Sequence, residues 1–72
     1  MEQNERLQKA IERAGLNPMR LSIILGYSRY TVYKWIRGKS QPNAGTMLKL
    51  TKILHISAQE VLEMFAEGGE DE

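Results

Sequence analysis

The chain lacks cysteine altogether and has only one histidine, one tryptophan and two prolines among its 72 residues. Without cysteine it has no disulfide, no thiol chemistry and no cysteine-ligated zinc, a composition that fits a reducing cytoplasm. No purely apolar run exceeds three residues, whereas a membrane-spanning helix needs about 20, so we expect neither a membrane span nor a signal peptide. A chain of this length predicts one small domain, whose stability depends on well-formed helices or on dimerisation.

Groups that build catalytic, cofactor or metal sites are scarce as well. The chain has no glycine-rich phosphate loop and no paired carboxylates in its expected core, and its one histidine, His55, lies at a predicted helix end. A catalytic site needs several such groups close together. An enzymatic function, a cofactor and a bound metal are therefore not expected, and a helix-capping role is expected for His55.

Carboxylates are missing from the middle of the chain. Residues 13–59 contain eight lysines and arginines and no aspartate or glutamate, although the formal net charge of the whole chain is only +1. This segment is either a solvated cationic face or an electrostatic footprint for a polyanion such as a nucleic acid, whose phosphates dominate its affinity for proteins. Residues 67–72 (EGGEDE) carry four carboxylates and predict a flexible acidic tail.

Apolar spacing and helix-capping residues predict five short helices and no strand. Apolar residues recur three and four positions apart, and no window alternates with period two for long enough to form a strand. Asn17-Pro18 is a helix start, with Asn as N-cap and Pro at the first helical position. Ser57 followed by Glu60 is a capping box. The predicted spans are 4–14, 18–25, 28–37, a fourth helix from Thr46 and a fifth from Ser57, with a loop at 38–45.

Residues 18–37 predict two helices that meet at a sharp angle. Ser22 is small enough for the helices to approach closely, and Gly26 adopts a turn conformation that other residues adopt poorly. The three-residue connection 26–28 has the length found in a helix-turn-helix. The side chains expected to fill the angle between the helices are Leu21, Leu25, Val32 and Trp35.

Residues 7–65 resemble the phage Cro and repressor family of helix-turn-helix domains, also called the XRE-like family. The resemblance lies in Leu25–Ser28 followed by Thr31–Trp35, in Arg37-Gly38-Lys39 with Pro42, and in the leucines that lead to 54–57. It implies an all-α, five-helix lambda-repressor-like domain at residues 4–66, whose recognition helix, 28–37, enters the major groove of double-stranded DNA. It also implies a sequence-specific transcriptional regulator, encoded by a bacterial, phage or plasmid genome, that acts as a homodimer on a two-fold operator.

The resemblance assigns roles to individual side chains. Arg29 and Lys34 are expected to pair with guanine, with Tyr30, Tyr33 and Thr31 contacting bases beside them. In this family, residues of the loop after the recognition helix contact the DNA backbone. The N-termini of helices also bind phosphate favourably. The phosphate-contacting candidates are Asn17, Ser28, Lys39, Ser40 and Asn43, although Asn17 is equally explained as a plain N-cap.

Three departures from the family pattern favour an alternative function. Pro18 stands where the family often has a glutamine that contacts phosphate, and Ile36 stands where it commonly has a glutamate. Met19 and Ile23 lie off the core stripe of helix 2, so that with Ile36 they form an exposed apolar patch or repack locally. Such patches mark protein interfaces. The alternative is a modulator of the same fold, an anti-repressor or antitoxin, that acts on a partner regulator, with Met64 and Phe65 of the last helix as further interface candidates.

Overall fold

The computed structural model describes residues 3–66, which form five α-helices and no strand. The helices are α1 (Glu5–Arg13), α2 (Pro18–Leu25), α3 (Arg29–Ile36), α4 (Ala44–Leu54) and α5 (Ala58–Ala66). The all-α prediction is confirmed. Within the same residues no helix is long and apolar enough to cross a membrane. The predicted acidic tail, 67–72, lies outside the described residues.

A side-chain oxygen caps the N-terminus of every helix. The predicted cap is confirmed at Asn17, which accepts a hydrogen bond from the Arg20 amide at 2.8 Å. Ser28, at the start of the predicted span 28–37, likewise accepts one from the Thr31 amide at 3.3 Å. Ser57 and Glu60 form the predicted capping box, with both reciprocal bonds at 3.1 Å. These caps satisfy amides that have no partner inside the helix, so they define where each helix begins.

The start of α4 corrects the sequence prediction. Residues 43–45 were expected in the preceding loop, with the helix beginning at Thr46, but α4 begins at Ala44. The reason is Asn43, whose side chain accepts a hydrogen bond from the Thr46 amide at 2.8 Å and so caps the helix. Gly45 is therefore helical, although its residue type is typical of loops.

Two residues with a positive φ angle end α2 and α4. Gly26 has a φ of 82° and directs the chain from α2 into the turn before α3. His55 ends α4 with a φ of 57°, which confirms its expected capping role. His55 is the one non-glycine residue with a positive φ angle among the described residues.

The core lies where the helix-turn-helix meets α1, α4 and α5. The side chains predicted to fill the angle between α2 and α3 are all buried, and Trp35 makes edge-on contacts with the rings of Tyr27 and Phe65. Asn4 joins the two ends of the chain to this core. Its backbone amide donates to the Ile36 carbonyl at 2.6 Å, and its side-chain amide donates to the Met64 carbonyl at 2.9 Å.

Burial corrects the predicted apolar patches. Ile36, Met64 and Phe65 were candidates for an exposed interface, but their exposed fractions are 7%, 6% and 2%. Ile36 is buried because α1 packs against α3 and Asn4 bonds to the Ile36 carbonyl. Leu62, also on the last helix, is 59% exposed. The exposed part of the predicted patch is Met19 and Ile23.

Candidate nucleic-acid interface

One side of α3 is buried and the other is cationic and aromatic. Val32, Trp35 and Ile36 face the core. The opposite side presents an exposed surface that we call the α3 face, and its side chains line a shallow groove. The α3 face consists of Arg29, Tyr30, Tyr33, Lys34 and Arg37. It therefore brings four of the five predicted base-contacting residues together.

The fifth predicted residue, Thr31, differs from the other four. It is half-buried, and its hydroxyl lies 3.3 Å from the Ser28 hydroxyl, within the first turn of α3. This hydroxyl therefore already has a partner inside the protein. The other four side chains project from the helix into solvent.

The Arg29 guanidinium stacks over the ring of Tyr30. The guanidinium carbon lies 5.4 Å from the ring centroid, which is the geometry of a cation–π contact. A stacked guanidinium keeps its N–H donors at the edge of its plane, where a pair of acceptors can be bonded simultaneously. The contact therefore orients a side chain able to recognise guanine.

Tyr27 connects the turn of the helix-turn-helix to α4. Its hydroxyl lies 2.7 Å from the Thr46 hydroxyl, and its ring packs edge-on against Trp35 with centroids 5.7 Å apart. The N-terminal turn of α4 is thereby held beside the turn that leads into α3. The loop that carries Lys39 and Ser40, both exposed, runs between these two helices.

The predicted phosphate contacts include the N-caps of α2, α3 and α4. The side-chain oxygens of Asn17, Ser28 and Asn43 are occupied by backbone amides of their own helices. Both asparagines are exposed, so their side-chain amides face solvent. None of the three helices has an acidic residue in its first turn. Each N-terminus therefore keeps the partial positive charge of its helix dipole.

Charge is divided between two groups of helices. Among the described residues, the carboxylates lie on α1 (Glu5, Glu12) and α5 (Glu60, Glu63), and α2, α3 and α4 have none. Arg6 of α1 and Glu63 of α5 lie 3.8 Å apart, with both side chains more than half exposed. Cations on α2, α3 and α4 have no carboxylate on those helices, so this part of the surface attracts anions.

Sequence reasoning missed three features of the surface. Arg37 is the C-cap of α3 and lines the α3 face. Its position three residues after Lys34 is the sequence signal that could have placed it there. Ile24 and Leu48 are 53% and 60% exposed. Ile24 lies within the longest apolar stretch of α2, where only packing decides which side chains are covered. No group of three or more histidines, aspartates or glutamates that could hold a metal occurs in residues 3–66.

The fold and this surface define a helix-turn-helix domain whose second helix has a cationic exposed face. A sequence model of the Cro/C1-type HTH DNA-binding domain matches residues 6–67. The match spans most of the chain, and the protein belongs to this family. Neither a curated protein nor a solved structure matches the chain.

Proposed function

We propose that the protein is a sequence-specific regulator of transcription that inserts α3 into the major groove of double-stranded DNA in a bacterial cytoplasm. The observation that carries this proposal is the α3 face, a cationic and aromatic helix surface on the carboxylate-free part of the domain. An α-helix fits the major groove, where each base pair presents a distinct pattern of donors and acceptors. Nothing in the family, the fold or the residue content favours an enzymatic role.

Base recognition falls to the α3 face, from the first turn of the helix to its last. Arg29 and Lys34 are proposed to donate to the O6 and N7 atoms of guanine. Tyr30 and Tyr33 supply ring edges and hydroxyls for thymine methyls, sugars or phosphates beside them. Thr31 has the smaller contribution, because its hydroxyl is engaged with Ser28.

Phosphate contacts are proposed at the ends of α2, α3 and α4. The backbone amides and exposed side-chain amides near Asn17 and Asn43 are donors for phosphate oxygens, and Ser28 contributes the N-terminus of α3. Lys39 and Ser40 extend this set along the loop between α3 and α4. These contacts would set the register of α3 on the duplex without reading its sequence.

A homodimer would let the protein read a two-fold operator. Recognition helices that occupy successive major grooves lie about 34 Å apart, and the described domain measures 29 × 24 × 21 Å. The domain is therefore small enough for two copies to lie side by side at this spacing. Val61, Met64 and Phe65 of α5 are buried, so Leu62 is the large hydrophobic side chain of α5 that is available for a contact between copies.

Selection of duplexes from a random DNA library by the purified protein, at two salt concentrations, tests this function. We expect enrichment of a palindromic site containing guanine and a steep loss of affinity at the higher salt concentration. Arg29→Ala and Lys34→Ala should each weaken binding and relax base preference, at a cost of about 1–3 kcal/mol. Lys9→Ala is the matched control, because it removes the same charge from exposed α1. Equal binding by all three variants would contradict the assignment of α3.

A second candidate function is that of a modulator that acts on a partner regulator, as an anti-repressor or antitoxin does. The exposure of Met19 and Ile23, at 48% and 69%, favours it, as does Pro18 at a position where the family often contacts phosphate. In the DNA selection this function predicts weak binding without sequence preference. A Met19→Glu/Ile23→Glu variant would then lose the biological effect without a change in DNA binding.

A further inference from the structure

Helix α2 is apolar on its outward side as well as on its inward side. Leu21, Ser22 and Leu25 face the core. The remaining positions of the helix after Pro18 point outward, and we call this surface the α2 arc. It consists of Met19, Arg20, Ile23 and Ile24, three large hydrophobic side chains that are 48%, 69% and 53% exposed and one arginine.

This pattern differs from that of α1, the other helix at the N-terminal side of the domain. The outward positions of α1 carry charged or amide side chains, and its apolar residues are buried. Helices that cover a core in a monomer normally have such a polar outer face. Adjacent apolar side chains on an outward face are typical of a surface that is covered by another molecule.

The charge around the α2 arc determines the chemistry of what covers it. Arg20 lies between the hydrophobic side chains, one helical turn before Ile24. None of the ion pairs in the described residues involves Arg20, and residues 13–59 contain no carboxylate. The N-terminus of α2 adds partial positive charge, because no acidic residue lies in its first turn. A complementary surface is therefore mainly apolar and has an acidic group beside its apolar side chains, where it can reach Arg20.

Two occupants from the protein itself do not meet this requirement. The C-terminal segment EGGEDE is acidic but has no large apolar side chain, so it lacks groups to cover three exposed hydrophobic residues. A symmetric contact between two α2 arcs would place two copies of Arg20 in one interface, and residues 13–59 would supply no carboxylate for either. The C-terminal segment would leave the hydrophobic side chains without a partner, and the symmetric contact would leave Arg20 without one.

We propose that the α2 arc docks an amphipathic helix of a protein partner, one whose apolar stripe is flanked by carboxylates. The helix lays its stripe over Met19, Ile23 and Ile24, and a carboxylate beside the stripe pairs with Arg20. The second candidate function, a modulator of another regulator, uses the same face of α2, and this inference specifies the chemistry of its partner. It also holds for a DNA-binding regulator, because it requires no residue of the α3 face.

Two synthetic helical peptides with the same leucine stripe test the proposal against the full chain. One peptide has glutamates beside the stripe and the other has lysines. By calorimetry, we expect the glutamate peptide to bind at least about tenfold more tightly than the lysine peptide. In NMR spectra, the protein amides whose chemical shifts change when this peptide binds should lie in α2. Ile23→Asn with Ile24→Asn should weaken binding by about tenfold or more. Arg20→Glu should reduce or reverse the preference between the peptides.

Leu48→Asn is the matched control, because Leu48 of α4 is exposed to a similar extent, at 60%, and has no role in the proposed contacts. It should leave peptide binding unchanged, and circular dichroism should show that every variant is folded. Several results would overturn the proposal. One is equal binding of the two peptides, or binding of neither. Another is a Leu48→Asn variant that weakens peptide binding as much as the α2 variant does. A third is peptide binding that depends on Arg29 and Lys34 instead of α2.

The same variants distinguish the remaining occupants. If sedimentation showed that Ile23→Asn dissociates a dimer, a second copy would cover the arc and the proposal would be wrong. Tighter binding to anionic lipid vesicles than to the glutamate peptide would likewise replace the protein partner with a membrane surface. DNA binding is measured separately on each variant, so failure of the docking proposal and failure of DNA recognition give different results.

Discussion

The hydroxyls of Tyr27 and Thr46 lie 2.7 Å apart and join the turn of the helix-turn-helix to the first residues of α4. Thr46 is buried, whereas Tyr27 keeps part of its ring in solvent. Because the Tyr27 ring also packs against Trp35, one side chain connects the turn, the core and α4. The two regions proposed to hold DNA, the α3 face and the start of α4, are held together at this point.

Tyr27→Phe should therefore lower the free energy of unfolding by about 1 kcal/mol, because it removes the hydrogen bond and retains the ring. Urea denaturation measures this change. Tyr33→Phe is the control, since both tyrosines are 39% exposed and the hydroxyl of Tyr33 has no hydrogen-bond partner within residues 3–66. If both substitutions had the same effect, the Tyr27–Thr46 bond would contribute nothing specific.

His55→Gly should raise the free energy of unfolding by about 0.5–1 kcal/mol. A left-handed conformation costs a residue with a Cβ about 1–2 kcal/mol, part of which the greater chain entropy of unfolded glycine offsets. Gly26→Ala is the reciprocal test at a φ of 82°. Outside the two neighbouring residues, no heavy atom lies within 4 Å of the added Cβ, so its destabilisation of about 1 kcal/mol arises from the backbone conformation. Thermal melts measure the change in stability of both variants. A Gly26→Ala variant more stable than the parent would contradict the explanation by backbone conformation.

Asn4→Asp should destabilise the domain by about 1–3 kcal/mol, although aspartate caps helices as well as asparagine does. The substitution keeps an acceptor for the Leu7 amide but removes the donor to the Met64 carbonyl. Asn17→Asp is the comparison, because Asn17 has only the capping bond. It should leave the denaturation midpoint nearly unchanged. Equal effects at the two positions would mean that the bond between Asn4 and α5 does not stabilise the fold.

Asn43→Asp separates capping from phosphate contact. The cap to the Thr46 amide is retained, so stability should not fall, but a negative charge beside a phosphate should weaken DNA binding by about fivefold or more. Ser57→Asp introduces the same charge at the cap of α5, on the carboxylate-bearing part of the domain. We expect it to have the smaller effect in a DNA titration. An equal loss from both would show a general charge effect instead of a local phosphate contact.

Tyr30→Leu should reduce affinity for a guanine-containing site about two- to fivefold, because it removes the ring over which Arg29 stacks. Tyr30→Phe keeps the ring and should retain most of the affinity. In an Arg29→Ala background the leucine substitution should have a smaller effect, since only the direct DNA contacts of Tyr30 are then lost. Fluorescence titration with the selected operator gives the coupling, and fully additive losses would contradict a positioning role.

Local features of this fold could be predicted from neighbouring residues in the sequence. The caps at Asn17, Ser28 and Ser57 bond to amides three residues away, and Gly26 and His55 end helices through their own backbone conformation. The start of α4 could not be placed in this way. Gly45 and Pro42 favour a loop, and only the observed Asn43 cap shows that helical bonding outweighs the low helix propensity of glycine.

The composition of the candidate site could also be predicted from the sequence, because the cations of this segment are not interrupted by any carboxylate. Residues 13–59 contain no carboxylate, and the spacing of Arg29, Tyr30, Tyr33 and Lys34 places them on neighbouring turns of one helix. The stacking of Arg29 on Tyr30 and the participation of Arg37 required coordinates. Side-chain direction, not spacing alone, determines such contacts.

Burial of the apolar residues was decided by tertiary structure. Ile36 and Ile24 are both isoleucines in eight-residue helices, yet Ile36 is 7% exposed and Ile24 is 53% exposed. The difference arises because α1 packs against α3 and Asn4 bonds to the Ile36 carbonyl, from a distant part of the sequence. Helical periodicity and capping depend on residues a few positions apart, so they can be predicted from the sequence. Which apolar face is covered depends on helices that meet only when the chain folds.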